Sequence, residues 1–452
     1  MDAENRGGTG RGQSSPDTIA GVRHTSGPSP EGSTPPSPTR RRFSLVSAPL
    51  QMSGALEGAC TLRNGKSRLR VTYAALTRPT NKDQDRFVAV THGSSGFVCA
   101  ICDGHSVHAN ADGIQHAEAA ARHISSDLWK RVAGKLEADL PDRPDAATAE
   151  LRGGGMSVDV EPLADPATPG SALALAATES FLAHQRKCEA VYKKRVADKV
   201  ISLKEKMEAE IGEELTLSLP QEGGTTATAL VLHPGGLLVA WVGDSRAVLA
   251  VEPAAGGAPV AMALTSDHNT ADEFERLRLI AKGGSTGIDS MAGHVFVPEA
   301  EGGLKVTRSL GDSPFHKGDA ISAVPGLRHV RLSSAVLFAL VASDGIWDLL
   351  SNQQVVDIVV AAIAAHSMRV SEGDGILGGA GAGSGGSSGS SATAAAAACA
   401  AVLEHIEQIQ ASGEAKTTHV DDRSIALILL THEGASSRPS GYSSSGRHSG
   451  AS

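Results

Sequence analysis

The sequence predicts an α+β fold built on mostly antiparallel sheets, and three observations carry that prediction. Short β-prone runs come in hairpin pairs: residues 87–90 and 97–102 flank Gly93-Ser94-Ser95-Gly96, and residues 227–232 and 237–242 flank Pro234-Gly235-Gly236. Helical stretches, over residues 109–132 and most of 171–212, lie between these pairs and do not alternate strictly with single strands. Two further continuous apolar runs, 336–342 and 425–430, have strand length.

The flanking segments differ in kind. Residues 1–66 are rich in Ser, Pro, Gly and Arg without apolar periodicity, so they are expected to be a disordered tail. Within it, Arg40-Arg41-Arg42-Phe43-Ser44 suits a basophilic kinase acting on Ser44. Ser15, Ser29 and Ser37 each precede proline, as proline-directed kinases require; the plainer reading is a solvated basic run. Residues 67–432 form the expected folded domain, with inserts near 133–220 and 368–400 and a Gly/Pro/Asp-rich linker at 141–170. The Gly/Ser-rich then Ala-rich stretch 377–400 reads as a loop running into a helix, and residues 433–452 as a second disordered tail.

Composition excludes several classes. The chain has 452 residues and is 40% hydrophobic, enough for a sizeable core. Its net charge of −9 and lack of a basic domain argue against nucleic-acid binding. Five cysteines, with neither zinc-site spacing nor a preceding secretory signal, fit a reducing compartment. No run approaches the roughly 18 apolar residues of a membrane helix, so a soluble cytoplasmic or nuclear monomer is expected.

Acidic residues recur at strand ends. Asp103, Asp244 and Asp344 each follow an apolar run, and Asp421 precedes one. A strand anchored in a core holds a terminal carboxylate rigidly, and carboxylate oxygens are the hard ligands Mg²⁺ and Mn²⁺ prefer. Converging carboxylates repel unless a cation neutralises them. The plain alternative is turn chemistry, in which Asp is common. A zinc reading of His105, His108, His116 and His123 lacks a supporting cysteine.

The local sequences carry a resemblance. Cys102-Asp103-Gly104-His105, Gly224-Thr225-Thr226-Ala227, Val242-Gly243-Asp244-Ser245-Arg246-Ala247 and Leu264-Thr265-Ser266-Asp267-His268 resemble, in order, motifs of the metal-dependent type 2C protein phosphatases. So do the run from Leu304 to Asp312, Ala342-Ser343-Asp344-Gly345-Ile346-Trp347-Asp348 with Asn352, and Asp421-Asp422-Arg423-Ser424-Ile425. The resemblance, spanning about residues 69–432, implies a central β-sandwich flanked by helices in four α-β-β-α layers, with two Mn²⁺ or Mg²⁺ ions at one end. By position it implies that Asp103 bridges both ions, that the Gly104 carbonyl ligates one, and that Asp344 and Asp421 complete the other shell. Asp422 is the alternative to Asp421. Asp85 would act through ordered water, Asp244 would hold a weaker third ion, and His105 would be the general acid. The implied activity is hydrolysis of phosphoserine and phosphothreonine in protein substrates by a metal-activated water.

Three departures stand out. The family usually places an arginine, for substrate phosphate, where this chain has Thr80; Arg78 or Lys82 is the candidate substitute. Ser106 follows His105 in place of the usual glycine, and neutral Gln84 precedes Asp85. The missing arginine and the long inserts motivate an alternative, a catalytically weak or inactive scaffold of the same fold. Arg246 and Arg308 are expected to be structural, Ile346 and Trp347 core, and residues 283–303 a flap beside the site.

Overall fold

The computed structural model describes residues 51–64, 67–106, 111–139, 160–161, 169–209, 220, 222–282, 287–288, 293–297, 300, 302–374, 386–413 and 420–433. Ser44 and the proline-directed serines lie outside them, as does the tail beyond residue 433.

Two sheets form the centre. The first has the order β1 (Ala55–Asn64), β2 (Ser67–Arg78), β16 (Arg423–Glu433), β15 (Val336–Ala342), β9 (Arg246–Val251) and β10 (Val260–Ala263). The second runs β13 (Leu310–Gly311), β6 (Gly224–Thr225), β4 (Phe97–His105), β7 (Ala227–His233), β8 (Gly236–Val242), β14 (Gly326–Val330) and β5 (Val160–Glu161), with β3 (Asp85–Thr91) on β4. The pairings within both sheets are antiparallel, as expected.

Side-chain alternation explains why these strands read as unbroken apolar runs. In β4, Phe97, Cys99 and Ile101 face the core between the sheets, while Val98, Ala100 and Cys102 face the helices. In β16, Ala426 and Ile428 point between the sheets, and Ile425 and Leu427 point to the opposite helical layer. With both faces covered, a period of two leaves no polar positions. Each fully buried Leu, Ile, Val or Phe contributes about 1.5–3 kcal/mol relative to exposure.

Helices α1 (Ala111–His123), α2 (Trp129–Asp139) and α3 (Pro169–Ala209) supply the layer outside β4 and β7. On the other side α6 (Asn352–Asp374) and α7 (Gly386–Ser412) cover the first sheet. None of the described helices is long and apolar enough to cross a membrane.

One expectation needs correction. The tail assigned to residues 1–66 ends earlier, because Ala55–Asn64 form β1, in register with β2 from Ala55↔Leu76 to Asn64↔Ser67. As an edge strand β1 alternates exposed with half-buried positions, Leu62 being its one buried residue among those described, so it carries little apolar signal. Helices that run through both expected inserts also reach the core. Leu173, Ala177 and Phe181 of α3, and Ala398, Val402 and Leu403 of α7, are core residues.

A smaller cluster built on α4 (Glu273–Ala281) packs Leu279 against Val295, Val297, Phe315 and Ile321; the two-stranded β11 (Gly287–Ile288) and β12 (Val295–Phe296) lie in the expected flap. Its polar centre is Glu275, 3% exposed, which accepts from Arg308 Nε at 3.0 Å, Thr307 Oγ1 at 2.6 Å and Arg278 Nη2 at 3.1 Å. Arg308 is thus structural. Burial alone would raise the Glu275 pKa, but Arg308, Thr307 and Arg278 outweigh it and hold the carboxyl at about 2. A depressed carboxylate pKa stabilises the fold above its unfolded value, and that stability is lost as pH falls toward about 2. Glu275→Gln should therefore cost about 3 kcal/mol at neutral pH, leaving two arginines uncompensated, and less near pH 3. Thermal melts of both proteins at the two pH values check this.

Candidate active site

Strand register delivers the carboxylates to one end of the sandwich. Asp85 opens β3 directly opposite Asp103 near the end of β4. Because Ala342 pairs with Ile425, Asp344 just after β15 and Asp421 just before β16 emerge at the same end. Asp344 also begins a one-turn helix, α5 (Asp344–Trp347), and Asp244 sits in the turn joining β8 to β9.

The backbone around Asp103 is fixed from two sides. Its carbonyl accepts from Thr226 N at 2.8 Å and Thr225 Oγ1 at 2.9 Å, and its N–H donates to Thr226 Oγ1 at 3.2 Å. At Gly104 a β-carbon would lie 2.3 Å from the Gly113 carbonyl oxygen and 2.9 Å from that of Gln84. Only glycine allows this approach of β4 to α1. Asp85 is 1% exposed and accepts from Ser343 Oγ at 2.8 Å; the same hydroxyl accepts from Ser424 N at 3.0 Å.

The acids perturb one another. Burial, then the charges of Asp85, Asp344, Asp421 and Asp244, push Asp103 well above the usual carboxylate range. Burial followed by Asp344 and Asp267 lifts Asp244 to about 8. Burial lifts Asp85 to about 7, against the Ser343 bond and with help from Asp422 and Asp344. Asp344 is raised by burial, although a hydrogen bond with Asp103 opposes the shift.

In this arrangement no three His, Cys, Asp or Glu side chains among the described residues form a ready coordination shell. Asp421 instead meets Lys82, whose Nζ lies 3.0 and 3.1 Å from its two carboxylate oxygens. Burial disfavours that ammonium, but Asp421, Asp103 and Asp422 raise its pKa. Two acceptors stay unanswered: Asp85 Oδ1 and Asp344 Oδ1 are buried without a hydrogen-bond partner. Buried, mutually repelling carboxylates with orphaned oxygens fit hard divalent cations.

Asp421 and Asp422 have separate tasks. Asp422, 2% exposed, accepts from Thr80 N, Thr80 Oγ1 and Gln84 N, and so ties down the loop ahead of β3. Thr80 therefore serves the loop. Gln84 Nε2 donates to Ser106 Oγ at 3.1 Å, which links two of the unusual residues to each other.

His105 lies at the rim, its side chain 29% exposed, with Nε2 2.7 Å from Asp312 Oδ2. Burial opposes its charge, yet Asp312, with Asp244 and Asp344 behind it, raises its pKa above the ordinary imidazole value. Asp312 is held in turn by Ser309 Oγ, which donates to it at 2.7 Å, and has a left-handed backbone with φ of 46°. Gly224 is required beside it, because a β-carbon there would lie 2.0 Å from Asp312 Oδ2. Asp312 ends one of the quoted motif runs, yet nothing in the sequence ties it to His105, 207 positions away.

The structure thus brings Asp85, Asp103, Gly104, Asp244, Asp344, Asp421, His105 and Lys82 to one end. Arg78 points elsewhere, 3.6 Å from Glu407. Arg246 is structural: it grips Asp267 through Nε at 3.0 Å and Nη2 at 2.7 Å, donates to Asn352, and lies over the Trp347 ring.

Residues 170–373 match the family model described as Protein phosphatase 2C. Over 137 residues, 30% of this chain, it is 37% identical to Probable protein phosphatase 2C 44 of Oryza sativa subsp. japonica, covering 39% of that protein. It is 38% identical over 137 residues to Probable protein phosphatase 2C 2 of Arabidopsis thaliana, covering 33% of that protein. The aligned segment thus spans less than two fifths of either relative. A crystal structure titled serine-threonine phosphatase 2C from Toxoplasma gondii shares the fold, with a TM-score of 0.51 and 18% identity over 84% of this chain and 100% of that one.

Proposed function

The chain belongs to the protein phosphatase 2C family, and on that premise we propose that it hydrolyses phosphoserine and phosphothreonine in protein substrates with two Mn²⁺ or Mg²⁺ ions as cofactors. One observation supports this above all: the buried Asp85 Oδ1 and Asp344 Oδ1 have no partner within a set of acids that repel one another. Such a set calls for a counter-cation of hard character.

Asp103 with the Gly104 carbonyl, Asp344 and Asp421 would hold the two ions, Asp85 would act through ordered water, and Asp244 would hold a weaker third. Divalent ions bound there supply Lewis acidity, lowering the pKa of water and offsetting phosphoryl charge. The protein's own groups do the rest. As water displaces the serine or threonine oxygen, the P–O bond breaks and the leaving alkoxide takes a proton from His105. Asp312 keeps that imidazole charged and oriented. Lys82, at the rim of the acids, would meet a phosphoryl oxygen as a point charge once its pairing with Asp421 is relaxed. The proposed setting is a reducing one, cytoplasmic or nuclear, in keeping with five free cysteines.

Phosphate release from a phosphothreonine peptide tests the proposal. Activity should require Mn²⁺ or Mg²⁺, vanish in EDTA and return when metal is restored; no turnover of any phosphopeptide with Mn²⁺ present would sink it. Thr80 favours a second reading, a weak or inactive scaffold, since its N–H and hydroxyl are both committed to Asp422. Calorimetric titration with Mn²⁺ separates the two, because a scaffold with no chemistry to perform need not bind the ion.

A further inference from the structure

Next to the acids lies a cavity of about 530 Å³ with the opposite chemistry. Its wall includes Arg78, Thr80, Lys82, Glu407, Val420 and Arg423, so three cations face a single lining carboxylate among the described residues. Lys82 belongs both to this wall and to the ion pair with Asp421, so the groove adjoins the metal-binding end.

The two arginines are placed at a cost. Arg78 and Arg423 are direct cross-strand partners on β2 and β16, so their side chains share a face, where like charges repel. Arg78 is half exposed and reaches Glu407 only at 3.6 Å, a pairing that solvent weakens. Arg423 is 6% exposed; its Nη2 donates to Gln410, while its buried Nε has no partner. A buried guanidinium with an unfilled donor, beside a second guanidinium and open to a cavity, lacks an oxyanion. If the pair served the fold alone, Glu407 would be expected to satisfy that donor, and it does not.

We propose that this groove is a second anion subsite, in which Arg78 and Arg423 receive an acidic group of the substrate chain flanking the phosphorylated residue. The identity of the chain that fills it rests on the phosphatase reading; the anion chemistry does not. The oxyanion is a carboxylate of Asp or Glu or the phosphate of a second phosphorylated residue, both of which a planar guanidinium fork can engage. It would bridge Arg78 and Arg423 across the cavity wall and relieve the cross-strand repulsion. Glu407, already near both arginines, competes with it.

Fluorescence anisotropy on the full chain without divalent ions tests the subsite apart from catalysis. Three labelled peptides of equal length are compared, each with alanine at the centre and flanked by Asp residues, by phosphoserine or by Ala. The Asp or the phosphoserine peptide, or both, should bind about tenfold more tightly than the Ala peptide, and whichever does names the source. Arg78→Gln and Arg423→Gln should each abolish the difference, whereas Glu407→Gln should tighten binding, a gain that damage to the fold would not produce. Equal affinity for all three peptides, or a preference untouched by Arg78→Gln, overturns the proposal. With Mn²⁺ present, the kcat/KM ratio for acid-flanked over neutral-flanked phosphothreonine peptides should fall toward one in Arg78→Gln. Acidic-peptide binding without any hydrolysis would defeat the phosphatase reading and leave the subsite standing; hydrolysis without acidic preference or binding would do the reverse.

Discussion

Asp103→Asn will abolish turnover and will also raise the melting temperature of the metal-free protein. Asp103 is the acid on which the others converge, since Asp85, Asp344, Asp421 and Asp244 all act on it. Losing its charge removes a ligand that the proposed mechanism needs, so kcat/KM should fall by roughly a thousandfold or more. The same loss relieves like-charge repulsion and should stabilise the metal-free fold by on the order of 1–2 kcal/mol. The pH dependence has a definite sign. Asp85, Asp103, Asp244 and Asp344 have folded pKa values raised above their unfolded ones, so the folded state binds protons more tightly. Stability of the metal-free protein should therefore fall as pH rises from about 4, the unfolded value, through the about 7 of Asp85 and the about 8 of Asp244. Mn²⁺ should reverse that loss in the wild type and do so poorly in Asp103→Asn. Melts at pH 5 and pH 8, with and without Mn²⁺, check it; a variant destabilised equally at both would show that charge crowding is not what burdens the metal-free site.

The second large effect belongs to Asp312, which on the proposed mechanism acts through His105. Asp312→Asn keeps the size of the side chain and can still accept from Ser309, but it removes the charge 2.7 Å from His105 Nε2. Burial then acts on the imidazole with less opposition, and its pKa drops. Since a general acid works only while protonated, the alkaline limb of the rate profile should move to lower pH, and kcat should fall about a hundredfold at neutral pH. KM should change little. A substrate with a good leaving group, such as p-nitrophenyl phosphate, should lose much less, because it needs no proton on departure. If both substrates suffer equally with no shift in the pH profile, Asp312 has only a structural part.

How legible this was depended on the distance over which each signal acts. The strand pairs around Gly93–Gly96 and Pro234–Gly236 were readable because hairpin turns are local, and β3–β4 and β7–β8 form as expected. Aspartates at strand ends were readable for the same reason, since an apolar run ending in Asp lies within a few residues. Edge strand β1 was not: among its described residues only Leu62 is buried, and what orders them is the register with β2. The helices near 173–181 and 394–406 were visible as helices, but their place in the core was not, because an Ala-rich face does not announce what it packs against.

The sequence by itself determined the class of the fold, the seven ordered motifs and the identity of the acids, because each is written in contiguous residues. Only the tertiary structure decided how the closing pair divides its work, with Asp421 facing the cluster and Asp422 fastening the Thr80–Gln84 loop. It likewise gave His105 its partner in Asp312, and set Arg78 against Arg423 across a strand pair whose members lie 345 residues apart in the chain. Such pairings depend on register between distant strands, and a side chain's pKa and its open hydrogen-bond donors follow from those neighbours, which no local pattern names.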